Sequence, residues 1–510
     1  MAFQLQNSVV AVDSTAPAAA GARTVARRRR DAIESMSTLR VPMWIAAAYV
    51  LLTSNADPDL FGHLRFGLDH LRSWRFSSAD PYSFTSDLPW TNHEWLSELT
   101  MAVAYSWAGA LGLIVMKGLA TVAVLLVIAR SVKDAAPLWR WPSALLAVLG
   151  MLPISLTIRP QIWTLLFLTL MCSILTGPWK RRAWLPLIFL LWANMHGGWL
   201  VGLGVLGVWS AFELIEPADD RPPVWALILL PAGCLLATLI NPYGWHLWGF
   251  LAKTVRLTRA DIAEWQPLWR APTGSIIHWI AAIVWAGFAI RFAERRSLKA
   301  IAASLMLAYA SMRVLRMVPL FIPAAVILLI PYVRRAGAHQ RQASPRGKAL
   351  IDVACACIGL AVVAWPLAPG CVHMTGSWLP DSNVARAISA ANLSGRMVTY
   401  FDWGEYVIWH FGPKLRVSMD GRRETVYSER VLDEQRKVAY GDPGAMTRLQ
   451  AISPEYAWLP QGLTDRAKPW FASHGYRIDV NTPTSFVAVR NDLPRIQSVA
   501  AGAAPCFPGP

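Results

Sequence analysis

The chain alternates long apolar blocks with short polar turns. The blocks occupy about 39–54, 111–128, 143–158, 162–176, 183–195, 199–215, 224–240, 275–292, 300–312, 318–333 and 349–367. As helices, most are close to the length that crosses a hydrocarbon core of about 30 Å. The pattern predicts a polytopic α-helical membrane protein of about 11 spans. Its longest polar interruption within the first two-thirds, residues 57–94, is rich in Trp, Phe and Tyr and so unlike a disordered linker. Residues 95–107 are amphipathic and read as an interfacial or partly inserted helix rather than a span.

After about residue 370 the pattern changes. Short strands are expected at 396–400, 415–419, 455–459, 476–480 and 485–490, the last two forming a hairpin, with helices at 384–392, 431–439 and 465–474. Alternation of this kind implies a small α/β domain, placed at 375–492. The remaining divisions are a basic, disordered cytoplasmic tail at 1–38, a membrane domain at 39–368 with a large outer loop at 55–94, and a disordered tail at 493–510.

Composition agrees. The chain is 55% hydrophobic and only 16% charged, against about 25% charged in soluble domains. Its net charge of +16 does not indicate nucleic acid, because Lys and Arg sit in short clusters between apolar blocks. That spacing is the topology signal of membrane proteins. Arginines 27–30 keep the N-terminus inside, and the odd span count puts the C-terminal domain outside. Cleavage after Ser54-Asn55-Ala56 is the alternative, and Asp57 emerges on the outer side either way. The 26 Trp residues fit interfacial belts. The six Cys lie mostly in apolar segments and indicate neither a disulfide framework nor a zinc site.

With the basic clusters held inside, one set of polar residues falls on the outer face: Asp57, Asp59, His63, His93, Glu94, Arg159, His196, Asn241, Tyr243, His246, Glu264, Arg313 and Arg316. Ionisable groups at membrane depth are expensive and point to function. Arginine forks suit an anionic, phosphate-bearing lipid. Asp57 and Asp59 suit either a general base or a pair of divalent-metal ligands, Mg2+ or Mn2+. Asp59 and His63, four apart, share a face if a helix starts at Pro58. Each residue also has a plainer role. Asp57-Pro58 reads as a helix cap, the arginines as interface-snorkelling side chains, and His196-Gly197-Gly198 as a close-packed turn.

The pieces DPDLFGHL, DPYSFT, PWTNHEWLSE, RPQIWTLL, LWANMHGGWL, NPYG, YFDWGEYVIW and VSMDGRRETVY span most of 39–490. On these the chain resembles the GT-C superfamily of integral-membrane glycosyltransferases, and within it a bacterial multi-pass branch of unassigned reaction. The resemblance implies a polyprenyl-phosphate sugar donor, a glycan, lipid or protein acceptor, and a catalytic acid in the first outer loop. That role falls to Asp57 or Asp59, with a divalent metal only if the enzyme is metal-dependent. It implies transfer on the periplasmic face of a bacterial inner membrane. A non-catalytic transporter or scaffold for lipid-linked glycans is the alternative.

Overall fold

The computed structural model describes residues 53–216, 222–257, 262–335, 371–376, 378–462, 466–497 and 506–509, with positions 45, 49, 50 and 259. The expected cytoplasmic tail and last span lie outside these residues, as does nearly all of the first span.

Helix α1 (Pro58–Ser73) follows Asp57 directly. Asp57 caps it by accepting the Leu60 N–H at 3.0 Å, Pro58 fills the first position, and Asp59 adds negative charge to the first turn. The segment expected as one long loop is therefore helical in its first half. Helix α2 (Trp95–Val132) is broken at Ala108 and Gly109, where Gly109 takes a φ of 58° that side chains disfavour. The break falls between the expected amphipathic segment and the expected span at 111–128.

Among the described residues up to 335, nine further α-helices follow: α3 (Pro137–Ser155), α4 (Gln161–Leu175), α5 (Leu185–Met195), α6 (Trp199–Ile215), α7 (Val224–Ala237), α8 (His246–Arg256), α9 (Thr273–Arg291), α10 (Leu298–Arg313) and α11 (Val318–Leu329). Each expected apolar block from 111 to 333 is thus a helix. Among the described residues four segments are suited by length and composition to cross a membrane: Trp95–Val132, Pro137–Ser155, Thr273–Arg291 and Leu315–Tyr332. Three shorter apolar helices accompany them. Their shared core includes Val124, Met151, Leu168, Trp192, Trp209 and Phe321.

The C-terminal domain holds a five-stranded sheet: β1 (Gly395–Thr399), β2 (Leu415–Val417), β3 (Tyr456–Pro460), β4 (Tyr476–Asn481) and β5 (Ser485–Arg490), in the order β2-β1-β3-β5-β4. Strand β1 runs parallel to β2 and β3, and β5 antiparallel to β3 and β4. The expected strands and helices of this domain are present. Two helices went unforeseen, Gly404–Phe411 and Pro443–Ile452.

The two parts of the chain are built into each other. Leu60, Phe61, Leu64 and Phe66 of α1 share a core with Met397, Val407, Val417 and Trp458. The segment after α1 lies alongside β2: Ser83 bridges Val417 in parallel, Val417 N–H donates to Tyr82 O at 2.9 Å, and Phe84 N–H donates to Val417 O at 3.1 Å. Arg422 closes the join. It makes a fork to Asp80 at 2.7 and 2.9 Å, holds Asp420 at 2.8 Å, and lies about 5 Å above Phe66 and Trp90.

Cys371 and Cys506 form a disulfide, contrary to the expectation from the sequence. The thiols are 135 residues apart, so no local spacing marks them. Phe507 is buried beside Phe61, so the segment expected as a disordered tail is anchored here. Asn55 bridges both Thr157 and His373, and His373 bridges Cys506. These bridges place Asp57 and Arg159 each two residues beyond one shared ladder. Replacing both Cys371 and Cys506 by Ser should destabilise the fold by about 2–5 kcal/mol, read as a lower melting temperature in detergent than the parent protein.

Candidate active site

A cavity of about 580 Å³ lies between the membrane helices and the C-terminal domain. Pro153 and Ile154 of α3, Leu200 and Val201 of α6, and Pro319 and Ile322 of α11 form an apolar wall. Ionisable side chains also reach it, among them Asp59, His63, His93, Glu94, Arg159, His196, Arg259, Glu264 and Arg316. A second cavity of about 390 Å³ opens against the C-terminal domain, bordered by Tyr400, Phe401, Asp402 and Tyr440. Asp59, Arg159, Ile262, Glu264, Gly421 and Arg423 line both.

Arg159 is the hub at this junction. Its Nε pairs with Asp57, its Nη2 with Asp59, and its Nη1 with Glu264 at 3.3 Å. The other Glu264 oxygen faces Arg316 at 3.7 Å. Arg259 and Arg316 lie over the Trp265 ring at 4.0 and 4.9 Å, and Arg259 also pairs with Glu424. Three arginines therefore stand at the charged end of an apolar-walled cavity.

Asp57 and Asp59 differ in what they reach. Asp57 is 8% exposed, spends one oxygen on the helix cap and the other on Arg159, and lines neither cavity. Burial pushes its pKa up to about 7, with Asp59 adding to the effect and Arg159 opposing it. Asp59 lines both cavities and turns Oδ1 toward Gly421.

A Cβ on Gly421 would lie 2.6 Å from that oxygen and 2.8 Å from Oε1 of Glu405. The turn of Asp420 and Gly421 thus has room for a Cβ only if the Asp59 and Glu405 carboxylates shift. Gly421→Ala should displace Asp59 and lower activity by about 10²-fold, the loss expected for a 1 Å misplacement. A variant that inserts normally and keeps full activity would refute this.

The histidines form a second group. His63 Nδ1 lies 3.0 Å from Glu98 Oε1 and its Nε2 3.8 Å from Glu94. Burial disfavours a charge there, yet the Glu98 hydrogen bond and the two nearby carboxylates carry the His63 pKa up to about 9. His196 is the opposite case. Its Nδ1 accepts the Gly198 N–H at 3.0 Å and meets the Thr164 hydroxyl at 2.7 Å, leaving the proton on Nε2. Burial, against the pull of Glu94, lowers its pKa to about 3. Burial would raise Glu94, but its basic neighbours, His93 first, hold it below the ordinary carboxylate value.

The remaining candidates lie apart. Tyr243 accepts the Asn92 N–H at 2.9 Å and so supports the turn that carries His93 and Glu94. His246 is exposed and stacked on Trp245, and Arg313 is exposed at the end of α10. Neither lines the cavity. Sequence reasoning missed Glu98, Arg259, Asp402, Glu405 and Glu424. Glu98 was signalled by its place one turn beyond Glu94 on the same helix. Glu405 carries the signal of an acid inside the apolar run YFDWGEYVIW. Burial first, then the charges of Asp59 and Asp420, raise the Glu405 pKa well above the ordinary carboxylate value, and burial with Asp59 raises that of Asp402 to about 6. Asp57 and Asp59 do not fit a divalent metal as they stand, because the Arg159 guanidinium occupies the space between their oxygens.

No protein-family model matches the chain, and no curated protein matches it significantly. Solved structures do. The archaeal oligosaccharyltransferase AglB from Archaeoglobus fulgidus, in complex with an inhibitory peptide and a dolichol-phosphate, aligns with a TM-score of 0.54 at 11% identity over 90% of this chain and 75% of its own. ArnT from Cupriavidus metallidurans bound to undecaprenyl phosphate gives 0.51 at 11% over 88% and 97%. The arabinofuranosyltransferase AftD from Mycobacteria gives 0.51 at 16%, and this chain spans 40% of its length. At these identities the likeness is one of fold. This chain shares the fold of the GT-C membrane glycosyltransferases, as its motifs implied.

Proposed function

We propose that the protein transfers a sugar from a polyprenyl-phosphate donor to a hydroxyl acceptor at the junction of the two cavities. The observation that carries this is the meeting of an apolar-walled, arginine-tipped cavity with a polar one at two carboxylates, Asp59 and Glu264, of which Glu264 has both oxygens turned to Arg159 and Arg316 while Asp59 keeps Oδ1 clear of them. The isoprenoid tail lies against α3, α6 and α11, and its phosphate is held by Arg259 and Arg316 through charge-assisted hydrogen bonds. The AglB and ArnT structures, which carry dolichol-phosphate and undecaprenyl phosphate, support a donor of this kind.

Asp59 receives the proton of the acceptor hydroxyl as it attacks the anomeric carbon; the bond from that carbon to the phosphate oxygen breaks through an oxocarbenium-like state, and polyprenyl phosphate leaves with the bonding electrons. A pKa near 7 gives Asp57 a basicity matched to neutral pH. Geometry takes precedence over basicity, however, and Asp57 reaches no cavity. Asp57 instead fixes Arg159 and the start of α1. Tyr400, Asp402 and Tyr440 offer the acceptor stacking faces and a hydrogen-bonding acid.

The reaction is placed on the periplasmic face of a bacterial inner membrane. The Cys371–Cys506 disulfide supports that side, since disulfides persist in oxidising compartments. The test is binding of undecaprenyl phosphate to the purified protein: Arg316→Ala and Arg259→Ala should each weaken it, and unchanged binding in both would remove the donor assignment.

A further inference from the structure

An acid pair at the mouth of a phosphate site ordinarily suggests a divalent cation. Here the donor atoms are already committed. Arg159 offers three nitrogens, and each faces a carboxylate of a different residue, Asp57, Asp59 or Glu264. The second oxygen of Asp57 caps Leu60, and that of Glu264 faces Arg316. Only Asp59 Oδ1 is left, beside Gly421 and Glu405. A Mg2+ ion needs several oxygens at about 2.0–2.1 Å in near-octahedral array. To gather these it would have to displace the guanidinium, and two cations in contact inside a partly buried pocket repel strongly. Among the described residues no group of three His, Cys, Asp or Glu side chains is arranged to hold a metal ion.

We infer that Arg159 is the resident cation of this centre, doing with a fixed guanidinium what a divalent ion would do for the three carboxylates, so that donor binding and transfer here require no metal. Arg159 is a positioning residue in this scheme. It fixes Asp59 at the junction and aligns Asp57 and Glu264 around it. The consequence for transfer rests on the function proposed above, whereas the occupancy of the carboxylate cradle does not.

The experiment uses the full-length protein purified in detergent, with Mn2+ as the probe, its binding followed by loss of the free-ion paramagnetic resonance signal. Wild-type protein is expected to bind no Mn2+ at the acid pair, and its affinity for undecaprenyl phosphate to be the same in EDTA as in Mg2+. Arg159→Gln empties the cradle of its cation and is expected to bind one Mn2+ per chain, and adding Asp59→Asn to abolish that binding. Mn2+ bound by the wild type and lost in Asp59→Asn overturns the inference, as does undecaprenyl phosphate binding that collapses in EDTA. Should Arg159→Gln fail to fold, the two wild-type measurements decide alone. Failure to bind undecaprenyl phosphate under either condition counts against the donor assignment, while the Mn2+ titration still decides the question of the cation.

Discussion

Asp59→Asn is expected to lower glycosyl transfer by about 10²–10⁴-fold, the loss that follows removal of a positioned general base. The side chain keeps its size, and Asn still hydrogen-bonds Arg159, so insertion and folding should persist. Asp57→Asn should do less damage to the reaction, because Asn caps helices as well as Asp does and Asp57 lines neither cavity. The pair separates a reacting carboxylate from a supporting one. The measurement is the surface-glycan profile of cells relying on each variant, with insertion checked by membrane fractionation. A normal profile in Asp59→Asn cells, or a heavier loss in Asp57→Asn than in Asp59→Asn, would remove Asp59 from the mechanism.

Arg422→Ala should destabilise the protein by about 3–5 kcal/mol, because it leaves buried carboxylates without their partner. Asp80 and Asp420 are 1% and 0% exposed at the side chain, and both rely on Arg422. Tyr427 donates to Asp420 at 2.7 Å but brings no charge. Because Arg422 ties the segment after α1 to the C-terminal domain, the expected result is early loosening of that domain. Limited proteolysis and melting in detergent would show it. Melting equal to wild type would mean that the node does not hold the two parts together. Arg422→Lys should recover little, since an ammonium cannot reproduce the fork to Asp80.

What the sequence made legible was local or periodic. Length and apolarity marked the helical blocks between 111 and 333, and alternation marked the strands of the C-terminal sheet. The Asp57-Pro58-Asp59 run was readable twice over, as a helix start and as a pair of acids, and both descriptions apply. Asp59 and His63 share a face of α1 and line one cavity, as their four-residue spacing implied. Arg159, Glu264 and Arg316, which the charge pattern assigns to one face, are neighbours in the structure.

What stayed hidden depends on partners far away in the chain. Nothing near Asp80 announces Arg422, 342 positions on, and nothing near Cys371 announces Cys506. Glu405 sat unremarked in an apolar helix until the fold set it against the Gly62 N–H at 3.1 Å. His246 and Arg313 went the other way. A topological ruler assigns a side of the membrane and not a direction around a helix, so it had no means to exclude them.

The strand-like run at Tyr82–Phe84 beside Leu415–Val417 has a bearing on how this protein can be taken apart. Strand β2 is the last strand of the sheet on its side, and its outer edge is satisfied by a segment from the far end of the chain. A fragment beginning near residue 375 would carry that edge bare, together with the apolar side chains that α1 covers. Unpaired edges of this kind recruit other edges. Such a fragment should self-associate rather than behave as a soluble reporter of acceptor binding, and adding 55–94 back in trans should restore a monodisperse species.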